Sequence, residues 1–160
     1  RIALVEQWNG SNWTEVGDLN TVRSQLASAG TSTAALAFGG ASPGGTTGVT
    51  ESWNGSAWTQ TTDLNQARQQ LAGASYGTYT STLAFAGNAD TAAGPPFSVN
   101  AELWNGSNWT EQNNMATNRE YLAGAGTATS ALAFGGNRTT AATEEWTGAG
   151  SGLTRTFTDS

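Results

Sequence analysis

Carboxylates and guanidinium groups are the only charged side chains of this 160-residue chain that could carry out chemistry. It has twelve acidic residues and six basic residues, all arginine, and it lacks histidine, cysteine and lysine. Paired carboxylates can hydrolyse glycosidic bonds, and converging arginines can bind an anion. The missing residue types exclude thiolate nucleophiles, histidine-based triads, zinc and haem ligation and a Walker loop within this chain.

Charge and hydropathy exclude two further kinds of partner. The net charge is −6 without any basic run, which argues against a nucleic-acid partner. No apolar stretch approaches the roughly 18 residues of a membrane-spanning helix. We therefore expect no cofactor, no metal, no nucleic acid and no membrane span.

Seven tryptophans reveal an internal repeat. Trp pairs occur as WNGSNWT at 8–14, WNGSAWT at 53–59 and WNGSNWT at 104–110, and a degraded copy begins at Trp146. The first tryptophans of successive copies are 45, 51 and 42 residues apart. A period in the forties without helical periodicity favours a β-propeller over a helical solenoid.

Each repeat divides into four short strands. The first strands are predicted at 26–30, 71–75 and 122–126, and the second strands at 34–38, 82–85 and 130–134. The third strands are predicted at 1–8, 49–53 and 100–104, and the fourth strands at 58–62, 109–112 and 153–158. Asn-Gly between the third and fourth strands is a strong hairpin signal because both residues tolerate positive φ. We predict an all-β fold with essentially no helix.

The repeat resembles the kelch repeat of β-propellers. An Arg precedes the first strand, the di-glycines Gly39-Gly40 and Gly135-Gly136 close second strands, and a Trp opens the fourth strand. An acid stands two residues before the third-strand Trp in every copy (Glu6, Glu51, Glu102, Glu144). The middle copy departs with Ala86-Gly87. The motif E-x-W-N-G-S-x-W-T is also similar to motifs in kelch-like proteins of bacteriophages, marine cyanophages especially.

The strand count predicts an incomplete ring. Residues 1–22 supply half a blade, and 23–67, 68–118 and 119–160 supply three complete blades. Propellers typically have four to eight blades. We expect upstream blades of a longer polypeptide, or other copies in an oligomeric ring, to complete the propeller; an open arrangement is the third alternative.

The tryptophans and arginines recur at fixed repeat positions, which favours structural roles. We predict that all seven tryptophans pack in the core: Trp8, Trp13, Trp53, Trp58, Trp104, Trp109 and Trp146. The resemblance places Arg23, Arg68 and Arg119 near the central channel. There they could bind an anion at the channel mouth, or form structural ion pairs with the repeated glutamates.

Variable loops are the candidate recognition elements. The loop between second and third strands varies in length, whereas the segment from the fourth strand to the next first strand is constant. The longest loop holds Asn88, Asp90, Pro95, Pro96 and Phe97, and Phe97 is either an exposed anchor or packed on a blade. A second candidate is the lengthened turn between first and second strands, with Tyr76 and Tyr79.

These features predict a non-enzymatic module. Most carboxylates recur with the repeat, which argues for scaffolding rather than catalysis. The phage resemblance implies a virion or extracellular protein, such as a tail fibre or surface appendage, that contacts other virion subunits and a host receptor or glycan. The alternatives are a cellular protein-interaction propeller and a glycan-binding module.

Overall fold

Short runs rich in alanine, threonine and aromatic residues, separated by glycine-rich turns, form antiparallel β-strands along the part of the chain that the structure describes. The computed structural model describes residues 2–90, 96–137 and 143–148. Within these ranges there are fifteen strands and no helix, so the all-β prediction is confirmed. In particular, these residues provide no helix with the length and apolar character needed to cross a membrane.

The first two strands form an isolated hairpin, the half-sheet, made of β1 (Glu6–Trp8) and β2 (Trp13–Glu15). Its turn is shaped by Asn9, whose Oδ1 accepts backbone N–H bonds from residues 11 and 12, both at 2.9 Å. Gly10 follows with a φ of +99°. The same turn recurs at Asn54 and Asn105, as the Asn-Gly signal predicts.

Two complete sheets follow, each a four-stranded meander in chain order. The first sheet contains β3 (Ala27–Thr31), β4 (Ala34–Phe38), β7 (Thr50–Trp53) and β8 (Trp58–Gln60). Within its second-to-third-strand loop lies a small hairpin of β5 (Ala41–Ser42) and β6 (Gly45–Thr46), which the sequence analysis did not predict. The second sheet contains β9 (Ala72–Gly73), β10 (Thr82–Phe85), β11 (Ala101–Trp104) and β12 (Trp109–Gln112).

The third sheet has three described strands, β13 (Ala123–Gly126), β14 (Ala131–Phe134) and β15 (Glu144–Trp146). The strand predicted at 153–158 lies outside the described residues. Of the strand predicted at 1–8, only Glu6–Trp8 is a strand, whereas most other predicted strands agree with the structure to within one or two residues. The strand predicted at 71–75 is reduced to two residues, since the chain beyond it turns early into the lengthened turn that carries Tyr76.

The sheets pack face to face, with their first strands side by side. Strand β9 contacts both β3 and β13, so the middle sheet lies between the other two. One apolar cluster fills the space between the first and second sheets, and it includes Phe38 and Trp104. A second cluster fills the space between the second and third sheets, and it includes Phe85 and Leu122. The core is therefore divided into layers between neighbouring sheets.

Glycines on the first strands make this close packing possible. A Cβ atom at Gly73 would lie 2.8 Å from Cζ of Phe38 on the preceding sheet. A Cβ at Gly124 would lie 2.6 Å from Cζ of Phe85 and would also collide with the backbone oxygen of Gly73. Real Cβ atoms do not approach so closely, so a side chain at either position would push two sheets apart.

We predict that Gly124→Ala destabilises the protein by about 2–3 kcal/mol, because overpacking forces backbone to move. The measurement is the free energy of unfolding from urea titration. The matched control is Gly44→Ala in an exposed loop, where the nearest atom to the new Cβ is the Ser42 hydroxyl at 3.7 Å. The control should change stability by less than about 0.5 kcal/mol. Equal effects of the two substitutions would contradict the close-packing argument.

Candidate functional site

Three buried arginine–glutamate pairs recur at one position of each sheet. In every case the Arg precedes the first strand and the Glu lies on the third strand of the same sheet. The pairs are Arg23–Glu51 at 3.1 Å, Arg68–Glu102 at 2.7 Å and Arg119–Glu144 at 2.8 Å. All six side chains are buried. The structure thus places the repeated charges inside the sheets.

Each of these glutamates also holds the backbone of the segment that leads into its sheet, which we call the link. The Glu51 carboxylate accepts N–H bonds from Asn20 at 2.7 Å and Thr21 at 3.2 Å. Glu102 and Glu144 do the same for the links of their own sheets, at residues 65–66 and 116–117. We call the arginine, the glutamate and the two link N–H groups together the clamp.

The hydrogen bonds and burial of the clamp define the role of these arginines. Arg68 donates to the backbone oxygens of Ala86 and Asn100 as well as to Glu102. Burial lowers the pKa of the Arg68 guanidinium below its ordinary value, and the Glu102 carboxylate opposes that shift. Burial and Glu51 act on the pKa of Arg23 in the same two directions. Groups so enclosed do not face solvent, and they bind the glutamates that hold the links in place.

The position of the arginines therefore corrects the channel-mouth hypothesis. Arg23, Arg68 and Arg119 are all at most 3% exposed, so an anion in solution cannot reach their guanidinium groups. Of the two alternatives that the sequence leaves open, their geometry corresponds to the structural ion pair.

The tryptophans occupy two different environments. Trp53, Trp104 and Trp109 are buried, and Trp58 and Trp146 are half-buried. The indole N–H of each first-position Trp in the three sheets donates to a backbone oxygen of the turn between first and second strands. These bonds run from Trp53 to Ser32, from Trp104 to Tyr79 and from Trp146 to Ala128, at 3.0–3.1 Å.

The half-sheet is where the core prediction is wrong. Trp8 and Trp13 are 47% and 62% exposed, although they form the same ring pair as their counterparts, with centroids 5.5 Å apart. They are exposed because β1 pairs only with β2 among the described residues, and no first and second strands cover it.

The long loop is held to the sheets by hydrogen bonds and β-bridges at Asn88. Asn88 donates through Nδ2 to the buried Glu120 carboxylate at 3.0 Å, and it forms isolated bridges with residues 69 and 97. Phe97 is half-buried rather than fully exposed. Asp90 is exposed in a left-handed conformation with φ of +46°, and Pro96 is exposed. Pro95 lies outside the described residues.

The tyrosine turn lies at the opposite end of the sheets from that loop. Tyr76 is 83% exposed and Tyr79 is 44% exposed. They border a groove between the turns of the first and second sheets, which we call the tyrosine groove; its other lining residues are Gly30, Thr31, Ala34, Ser75, Gly77, Thr78 and Thr80. The groove presents aromatic rings and hydroxyl groups, and none of its lining residues is charged.

Sequence reasoning missed a second surface cluster. Gln25, Gln70 and Tyr121 stand two residues after the clamp arginine in their repeats, and all three have left-handed φ values of 56–59°. The Gln70 N–H donates to the Gln25 oxygen at 2.9 Å, and the Tyr121 N–H donates to the Gln70 oxygen at 3.0 Å. The Gln70 amide donates to the Tyr121 hydroxyl at 2.7 Å. We call these residues the central cluster. The sequence signal that could have predicted the cluster is that all three residues stand two positions after a repeated arginine.

Comparison with known protein families and with curated proteins gives no significant match for this chain. In the described ranges, no three acidic side chains gather in a way that could hold a metal ion. Among the described residues, the tyrosine groove and the central cluster are two surfaces that could contact a ligand.

We predict that Arg68→Met destabilises the protein by about 3–5 kcal/mol, because it leaves the Glu102 carboxylate buried without its counter-charge. Glu102→Gln should be similarly harmful, since it also breaks the clamp. The measurement is chemical denaturation followed by tryptophan fluorescence.

Glu111→Gln is the matched control for the clamp. Glu111 lies directly across from Glu102 in the register of β11 and β12, but it is exposed. Its substitution should change stability by less than about 0.5 kcal/mol. If Glu102→Gln were as mild as Glu111→Gln, the clamp would not be a main source of stability.

Proposed function

We propose that this chain is a sector of a kelch-type β-propeller that serves as a non-enzymatic binding or structural module on the outside of a virion or cell. One observation carries the proposal. Four-stranded meanders pack face to face with their first strands adjacent, and a buried clamp fixes the link into each of the three sheets. Blades arranged around an axis require this topology and this order.

The assignment to a virion rests on the resemblance of one sequence motif. The E-x-W-N-G-S-x-W-T segments resemble kelch-like bacteriophage proteins, and the absence of histidine, cysteine and lysine supports a role in shape and recognition. On a tail fibre or surface appendage, several copies would be held together by virion symmetry. Weak binding at each copy would then add up to strong overall attachment.

The tyrosine groove is the recognition surface that we favour, and its chemistry suits a neutral saccharide. The exposed ring of Tyr76 offers an apolar face for the C–H groups of a sugar. The Thr78 and Thr80 hydroxyls lie 3.0 Å apart beside it and can exchange hydrogen bonds with sugar hydroxyls. The groove lies on turns held by the sheets, so little ordering entropy is lost on binding.

The central cluster supports the second candidate function, a protein-interaction module. Left-handed backbone at non-glycine residues is unfavourable and is typical of functional positions. Three such residues with amide and phenol groups meet at the end of the sheets opposite the tyrosine groove. Amide and hydroxyl groups suit the backbone of a bound peptide.

We predict that the protein binds neutral glycans in an array experiment, and that Tyr76→Ala weakens the best binder about tenfold or more by removing the exposed ring. Tyr121→Ala is the matched control, because Tyr121 is 58% exposed but belongs to the central cluster. It should leave glycan affinity unchanged. Loss of glycan binding in Tyr121→Ala alone would place the glycan site at the central cluster and contradict the assignment to the tyrosine groove.

The external location and the propeller architecture need separate experiments. Antibody against the chain should label intact particles or intact cells of the source in electron micrographs, and labelling only after lysis would contradict an external role. Cryo-electron microscopy of the native assembly should show a closed ring of four-stranded sheets. An open row of sheets would overturn the propeller assignment.

A further inference from the structure

Two groups of the half-sheet, and one carbonyl oxygen on the neighbouring link, do not have the partners that the equivalent groups have in the complete sheets. The first atom group is the Glu6 carboxylate. Its counterparts Glu51, Glu102 and Glu144 are buried, each with an arginine and two link N–H groups. Glu6 is exposed and has no hydrogen bond or ion pair within the described ranges.

The second atom is the indole nitrogen of Trp8. Each of its three counterparts donates to a carbonyl oxygen of the turn between first and second strands. The described part of the chain provides no such acceptor for Trp8. The ring is 47% exposed, whereas Trp53 and Trp104 are buried at 5% and 2%.

The third atom is the carbonyl oxygen of Arg23. The corresponding oxygens of Arg68 and Arg119 accept N–H bonds at 2.8 Å from Gly40 and Gly87, which close the second strand of the preceding sheet. At Arg23 the bridge partner is instead Ile2. The residues equivalent to Ile2 are Thr47 and Ser98. Their N–H groups donate to the carbonyl oxygens of Gly40 and Gly87, so in the complete sheets a glycine lies between these residues and the arginine.

One incoming segment would supply the missing partners at all three places. An arginine-bearing link would satisfy Glu6, a turn carbonyl would accept from Trp8, and a second strand ending in glycine would pair with β1 and replace the Ile2 bridge. We propose that the half-sheet is a docking site for a link-and-hairpin segment of the repeat's own kind, carrying an Arg ahead of its first strand. The proposal rests on the sheets and their contacts, not on the external function proposed above.

The segment must be additional to the link-and-hairpin units of the described residues. The three described link-and-hairpin units already pair with their own third strands, and their arginines are already ion-paired. A second copy of the described chain therefore has no spare unit to offer. Charge supports the same occupant, because an incoming arginine meets an exposed carboxylate on a chain of net charge −6.

The first test titrates the full chain with a synthetic peptide of residues 18–40, which contains one link, one arginine and one hairpin. Nuclear magnetic resonance of the tryptophan indole N–H groups reports on Trp8, assigned through Trp8→Phe. Binding should slow solvent exchange of the Trp8 indole proton and shift its signal. Absence of binding at millimolar peptide would overturn the proposal.

Two substitutions test the charge pair. Glu6→Gln in the protein, or Arg→Met at the peptide position that corresponds to Arg23, should weaken binding by roughly 30-fold or more, since each leaves a buried charge unpaired. Glu15→Gln is the matched control, because Glu15 is exposed and lies directly across from Glu6 in the half-sheet. Binding that is indifferent to Glu6→Gln would refute docking through a clamp.

A fusion covers the case in which the peptide associates with itself. Residues 18–45 are placed ahead of residue 1, so that the added Phe stands 15 residues before Trp8, the spacing of Phe38 and Trp53. The Trp8 indole proton should become protected about as well as that of Trp53, and Glu6→Gln should abolish the protection. A Trp8 proton that still exchanges freely in the fusion would overturn the proposal. So would protection of Trp8 in the unfused chain through self-association, measured by sedimentation.

Discussion

The buried pairing of one arginine with one glutamate is the constraint on which the rest of this structure depends. The link into each sheet forms a backbone hydrogen bond to the preceding sheet, as Leu64 does to Gly48, and the glutamate of its own sheet holds the two residues that follow. In each sheet the third-strand glutamate accepts two link N–H groups and the arginine neutralises it. Removal of either partner would leave a buried charge, so the two residues must occur together.

The second constraint is the small distance between neighbouring sheets. Glycines at 73 and 124 let the phenyl rings of the preceding sheets reach the first strands. Alanines dominate the remaining core positions, which explains how a chain with 37% hydrophobic residues builds two continuous apolar layers. The tryptophans then close the outer part of each layer and anchor the turns through their indole nitrogens.

The clamps also shape the surface that is left for recognition. They keep three of the six arginines off the surface, and the tyrosine groove and the central cluster themselves consist of neutral side chains. A neutral surface of aromatic rings and hydroxyls is suited to uncharged ligands. This is the physical basis for favouring a saccharide or a peptide backbone over an anion.

Much of the local structure follows from the sequence alone. The repeat, the strand order, the Asn-Gly hairpins and the all-β class depend on short-range signals, and residues 34–38 and 82–85 form strands as predicted. The burial of Arg68 was one of two sequence alternatives, because spacing cannot tell whether a side chain points inward. The left-handed Gln25, Gln70 and Tyr121 also escaped prediction, since their contacts join residues 45–96 positions apart.

Tertiary structure also determines the solvent exposure of Trp8 and Trp13. Their sequence is the same as that of the buried pair at 104 and 109, yet burial depends on which strands pack beside them. A repeat motif determines what each side chain requires as a partner. Only the packed sheets show whether that partner is present, because burial and ion pairing are properties of neighbours that are distant along the chain.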